Sequence, residues 1–284
     1  MGLPGMNATA RQRLRSMLTR PDQGLDLVEA NLLVAKEQYP DLDIPSYLNQ
    51  IDLMAKELEL YLSRARTDTE TLLLFNQYLF EEQGFCGNTD DYYDPRNSYL
   101  NDVLDRKTGI PITLSVLYME LARRVGLDAS GISFPGHFLV KLECDDGLIV
   151  LDPFHGGYSL SASELENRLI EEVGEGASTQ LLNQFLNGTD NRSILSRMLR
   201  NLKGVYLMRS DTEKALTVVD LLCMIEPDDS TELRDRGMLY AHLNCQSSAL
   251  NDFREYLRRN PEADDFDAIR DRVLELQSSA PTLQ

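Results

Sequence analysis

The sequence predicts an α+β domain, mainly helical with a small antiparallel sheet, followed by an α-helical repeat domain. Three observations carry this. Apolar residues recur at helical spacing through the first hundred positions. The pattern changes to strand-like alternation after Gly126. The last hundred residues repeat themselves with a period of 34. A chain of 284 residues has room for about two domains, and we place them at 1–185 and 186–284.

Leu25, Val28, Leu32 and Leu33 open a helix that Pro40 ends. Pro45 starts another, with Leu48, Ile51, Leu53, Met54, Leu58 and the pair Tyr61-Leu62. Asp68 or Thr69 caps a third, through Leu72, Phe75, Leu79 and Phe80 to Gly84. A polar loop follows from Gly87 to Pro95. Asn97 or Ser98 then caps a short helix carrying Leu100, Val103 and Leu104. The next helix runs to Gly126. Pro111 suits its first turn, where a missing N–H costs nothing, and Thr108 or Gly109 serves as cap.

Beyond Gly126, Phe138, Val140 and Leu142 alternate with Leu139, Lys141 and Glu143. Asp145-Asp146-Gly147 is a turn signal, and Leu148-Ile149-Val150-Leu151 is the returning strand. Ser161 or Ser163 starts one more helix, and Gly174-Glu175-Gly176 reads as a linker. In the second domain, Leu199 and Leu233, Tyr206 and Tyr240, Ala215 and Ala249, Leu216 and Leu250, and Pro227 and Pro261 each stand 34 residues apart. The alanines permit close helix approach and the prolines stop the second helices. A final helix spans about Phe266 to Leu276.

Composition narrows the function. A net charge of −18 repels nucleic-acid phosphates and anionic membranes. No apolar run approaches the roughly 20 residues of a membrane span. The segment Met1 to Met6 shows no basic-then-apolar pattern, so no signal peptide is read. The thiols Cys86, Cys144, Cys223 and Cys245 form no C-x-x-C pair, and His137, His155 and His242 form no H-x-x-x-H pair. The expectation is therefore no disulfide framework, no metal, no cofactor, and a reducing cytoplasm.

The hairpin makes a geometric prediction. With its turn centred on Asp145-Asp146, residues opposed across it have numbers summing to 291. Asp152 lies opposite Leu139, and His137 is two residues away on the same face. His137 and Asp152 become diagonal neighbours, so the imidazole and carboxylate can pair. Such a pair either belongs to a hydrolase or acyltransferase site or merely holds the hairpin together.

A helix followed by a strand with His and a strand with Asp resembles the core of the transglutaminase-like (papain-like) superfamily. The stretch Asn97 to Leu104, Arg106, Gly109 to Ser115, Phe134 to Leu139, and Asp152-Pro153-Phe154 with Gly156-Gly157 is closer still to its bacterial SirB-type branch. The 34-residue repeat resembles the tetratricopeptide repeat. The resemblance implies a papain/transglutaminase-like core fused to C-terminal tetratricopeptide repeats. It also implies that the superfamily's nucleophilic Cys position falls on Pro111, as in others of this branch. His137 and Asp152 are then the remnant of a triad.

Two other nucleophiles suggest themselves. Ser115 stands one helical turn beyond Pro111, although a mid-helix Ser often bonds the carbonyl four residues back. Cys86 opens the polar loop and is otherwise a small hydrophobe. Asn97 and Arg106 are further cleft-lining candidates, against the plainer roles of helix cap and ion-pair partner. The expected function is a non-catalytic, regulatory module that binds a protein or peptide partner, with no nucleic acid and no membrane. The alternative is a hydrolase or acyltransferase using His137 and Asp152 with an unconventional nucleophile or an activated water.

Overall fold

A computed structural model describes residues 8–19, 25–144 and 147–279. The chain forms two compact units, Met1–Met198 and Leu199–Gln284. The expected fold class is the one observed: a mostly helical first unit with one four-stranded antiparallel sheet, then a helical repeat.

The first unit opens with helices α1 (Ala8–Leu18), α2 (Leu27–Gln38), α3 (Ile44–Leu62) and α4 (Asp68–Asn76). Asp26 and Asp43 cap α2 and α3 by accepting the Glu29 and Ser46 backbone N–H groups. The cap of α4 is Thr67, one residue before the expected pair, and its hydroxyl accepts from Glu70 N. The helix then widens into a π-helical segment, Gln77–Glu82, that periodicity does not distinguish from α. A short parallel pair, β1 (Cys86–Gly87) and β2 (Thr108–Gly109), ties both ends of the polar loop and α5 (Leu100–Arg106) together.

Helix α6 (Pro111–Arg124) is the centre of this unit and is buried from Pro111 through Ala122. Its Pro is the first helical residue, and its cap is Ile110, which has no side-chain acceptor to offer. Thr113 replaces that function. Its hydroxyl accepts from Ile110 N at 3.0 Å and lies 2.9 Å from the Asn97 carbonyl, so it secures the helix start and the preceding loop together. Likewise α5 begins after Tyr99, not after a capping Asn97 or Ser98.

The sheet orders β3 (Asp128–Ile132), β4 (Leu139–Cys144), β5 (Gly147–Asp152) and β6 (Tyr158–Leu160) as neighbours. The β4–β5 register pairs Val140 with Leu151 and Leu142 with Ile149, the sum of 291 expected from the sequence. The turn residues Asp145 and Asp146 lie outside the described residues. Alternation gives the two faces different partners. Leu142 and Cys144 share a small cavity with Phe75 of α4 and Tyr118 of α6. Leu139, Val150 and Leu160 pack on Leu165 and Leu169 of α7 (Ala162–Val173) and Leu182 of α8 (Thr179–Phe185). Ser161 caps α7 in a reciprocal box with Glu164.

Helix α9 spans Asn191–Met208. In the second unit, α10 (Thr212–Ile225), α11 (Ser230–His242), α12 (Gln246–Arg259) and α13 (Phe266–Ser279) follow. Ala215 and Ala249, the small residues of the 34-residue repeat, are fully buried. Close packing extends to Gly237, where an added Cβ would lie 2.6 Å from the Phe253 ring. Buried charge is paired: Glu232 meets Arg200 at 3.0 Å and Lys203 at 2.8 Å, and Asp252 meets Arg236 at 2.7 Å. Helix pairs stacked in this manner are the physical unit of a solenoid.

Candidate functional site

The returning strand β5 ends in Asp152, whose carboxylate is fully buried. The chain then makes a one-turn 3-10 helix, Pro153–His155, and Gly156 and Gly157 follow with φ of 70° and 73°. Left-handed backbone at two consecutive positions suits glycine. The tight turn lets Gly157 N donate to Asp152 O at 2.9 Å and brings His155 back onto its own strand end.

The result is a carboxylate with donors on both oxygens. His137 Nε2 lies 2.9 Å from Asp152 Oδ1. His155 Nδ1 lies 2.8 Å from Oδ2, and Arg168 Nη1 donates to Oδ2 at 3.0 Å. Arg168 comes from α7, which covers this face of the sheet. Burial alone would raise the Asp152 carboxyl pKa, but the bonds from His137, His155 and Arg168 outweigh it and hold the group well below the usual carboxylate range. The carboxylate is therefore a fixed negative charge between two imidazoles and a guanidinium.

His137 is held from behind. Arg197 of α9 donates to the carbonyls of His137 at 2.7 Å and Phe134 at 3.2 Å, and it bonds the Ser133 hydroxyl. Its guanidinium also lies over the Phe138 ring. The imidazole stacks on His155, with ring centroids 5.9 Å apart, and meets the edge of Phe154 at 6.1 Å. Tyr92 packs on Phe154 at 6.1 Å and on Tyr93 at 5.3 Å. Together these rings form an aromatic surface around the histidines, with Tyr92, Tyr93 and His155 exposed to solvent.

The other candidates have different surroundings. Pro111 is buried at the start of α6. Ser115 is fully buried, and its hydroxyl has no hydrogen-bond partner among the described residues, not even the expected carbonyl one turn back. Cys86 is exposed, with its thiol 3.8 Å from the Thr108 hydroxyl. Its neighbour Gly87 lies against Phe154, where a Cβ would come within 2.6 Å of the ring. Asn97 is fully buried and works as a pin. Its amide donates to the carbonyls of Asp91 and Tyr92 at 2.8 and 3.1 Å, while its oxygen accepts from Asn88 at 3.0 Å. Arg106 reaches that oxygen at 3.4 Å and pairs with Asp94 at 3.4 Å. Asn97 and Arg106 thus fix the polar loop whose Tyr92 packs on Phe154.

Among the described residues, no thiol or hydroxyl hydrogen-bonds the His137 imidazole. A larger cavity lies elsewhere in this unit, lined by Val28, Met119, Glu120, Arg123 and Ser130, and none of the candidate residues lines it. No helix among the described residues is long and apolar enough to cross a membrane.

Sequence spacing identified His137 and Asp152 but missed His155, Arg168 and Arg197. The only signal for His155 was the Gly156-Gly157 pair, which marks a tight turn just after Asp152. His137, Asp152 and His155 each offer a donor atom within 4.8 Å of the others, a grouping suited to a metal ion that H-x-x-x-H spacing does not register.

Comparison with known proteins agrees with this architecture. Residues 45–200 match the family model of the transglutaminase-like superfamily, and residues 202–273 match a tetratricopeptide-repeat model. A UPF0162 protein of Xylella fastidiosa (strain Temecula1) is 41% identical over 271 residues, covering 93% of this chain and 94% of its own. A UPF0162 protein of Vibrio cholerae is 32% identical, covering 88% of this chain and 92% of its own. Protein SirB1 of Salmonella typhimurium is 28% identical, covering 78% and 81%. No solved structure matches the chain. With a family model over residues 45–200 and relatives 41% and 32% identical over most of both chains, the chain belongs to the transglutaminase-like superfamily and, within it, to the UPF0162/SirB1 family.

Proposed function

We propose that this chain is a non-catalytic transglutaminase-like protein that binds a protein or peptide segment and acts as a regulatory module. One observation carries the reading: the His137 imidazole bonds Asp152 and no thiol or hydroxyl among the described residues. A Cys at the start of α6 would gain nucleophilicity from the helix N-terminus; Pro111 stands there instead. The aromatic surface of Tyr92, Tyr93, Phe154 and the two histidines offers flat apolar faces with polar edges, as peptide-binding surfaces do. The tetratricopeptide unit supplies a second surface of a type suited to extended or helical peptides.

The test is recovery of partners from an extract of the source cells. Wild-type chain and a Tyr92→Ala, Tyr93→Ala double variant are used as baits. The reading expects a partner recovered reproducibly by the wild type and depleted with the variant. No reproducible partner, or equal recovery by both, overturns it.

A second reading rests on a different observation. Asp152 is held ionised against His137, the arrangement that orients an imidazole as a general base. The chain would then be a hydrolase acting through an activated water, slow on amides without an oxyanion site, or an acyltransferase with an unconventional nucleophile.

A further inference from the structure

We infer that His137, Asp152 and His155 form a binding site for a divalent first-row transition-metal ion of the zinc class. Two imidazole nitrogens and one carboxylate oxygen form a donor set for such ions, whereas magnesium and calcium prefer oxygen alone. The donor atoms already converge: His137 Nε2 and His155 Nδ1 lie 2.9 and 2.8 Å from the two Asp152 oxygens, and all three residues' donor atoms fall within 4.8 Å. Tetrahedral zinc with ligand bonds near 2.0–2.1 Å separates its donors by about 3.3 Å. The His137–Oδ1 separation therefore needs to open by only a few tenths of an ångström, while His155, now on Oδ2, must swing toward Oδ1 and the other imidazole.

His155 is the ligand free to make that adjustment. It is 57% exposed and sits on a single 3-10 turn, followed by the two glycines. Asp152 is the rigid one, fully buried at a strand end. Binding replaces the hydrogens that the imidazoles direct at Asp152, and each ring then carries its hydrogen on the opposite nitrogen. Arg168 stays on Oδ2 and leaves Oδ1 to the metal, the outer partner that ligating carboxylates commonly have. Its positive charge opposes the ion, while the −18 net charge of the chain favours cations in general. The fourth position is left for water or a partner's oxygen. The inference goes beyond the peptide-binding reading and does not depend on it.

The experiment uses the full chain, stripped with a chelator and dialysed. Zinc is titrated by calorimetry and cobalt(II) by visible absorption, with wild type, His155→Ala, His137→Ala and the remote control His242→Ala. His155 is exposed, so its variant is expected to fold, which circular dichroism checks. The expected result is one ion per chain and binding at least about tenfold weaker in His155→Ala and in His137→Ala. His242→Ala should match wild type, and the cobalt spectrum should lack a thiolate charge-transfer band. Equal binding by wild type and His155→Ala overturns the inference. So does a thiolate band, which would place the ion on an exposed Cys86 or Cys245, and so does no binding at all.

Discussion

Replacing Asp152 by Asn isolates the charge at the centre of the site. The side chain keeps its shape, but one acceptor oxygen becomes an NH2 group facing donors. In the wild type the fully buried carboxylate accepts from His137, His155 and Arg168 at 2.9, 2.8 and 3.0 Å. Removing one member of a buried ionic group costs about 3–5 kcal/mol when the remaining partners cannot reach water. Here His155 and Arg168 are 57% and 32% exposed and recover part of their hydration, whereas His137 at 18% recovers little. We therefore expect a loss of about 2–4 kcal/mol at pH 7, or roughly 5–15 °C in Tm for a unit of this size. Thermal and urea melts followed by circular dichroism would measure it.

The pH dependence has a definite sign. The folded carboxyl pKa lies below its ordinary 3.8. The unfolded chain therefore takes up the proton first as pH falls, and the stabilisation is lost on the acid side. The gap between wild type and Asp152→Asn should be constant above about pH 5 and shrink as the pH falls below about 4. A loss under about 0.5 kcal/mol at pH 7, or a gap that widens in acid, would refute the reasoning.

Three further outcomes follow from the packing. Ser115→Ala removes a buried hydroxyl that has no partner among the described residues, so stability should hold or rise by up to about 1 kcal/mol; a loss above that would show that the hydroxyl is engaged. Gly237→Ala drives a Cβ to 2.6 Å from the Phe253 ring and should cost the repeat unit about 1–3 kcal/mol in denaturant melts. Thr113→Ala removes the hydroxyl that joins Ile110 N to the Asn97 carbonyl inside the protein, an expected loss of about 1–3 kcal/mol, with faster amide exchange at Ile110 as its local signature.

Much of the fold was legible because it follows short periods. The β4–β5 register came from one turn and an alternating strand, whereas His137 meets Asp152 from the bend just before β4, outside the ladder. The repeat was visible because Tyr206, Ala215 and Pro227 recur 34 residues on. Pro111 announced the start of α6 through its own geometry. What stayed hidden depends on the chain folding back at no fixed spacing. His155 reaches Asp152 only through a 3-10 turn that two left-handed glycines permit. Arg168 and Arg197 arrive from helices α7 and α9, and an exposed-looking Arg in a helical pattern carries no mark of the carbonyl or carboxylate it meets. Asn97 looked like a cap because caps are local. Its real partners, the carbonyls of Asp91 and Tyr92, lie in a loop without periodicity.

On the proposed function, the His137–Asp152 pair survives here without catalysis. This is tested most directly by screening peptide amide and ester substrates with wild type and His137→Ala, each confirmed as folded by circular dichroism. The account predicts that the two proteins show the same background turnover on every substrate. Turnover by the wild type that His137→Ala abolishes would contradict it.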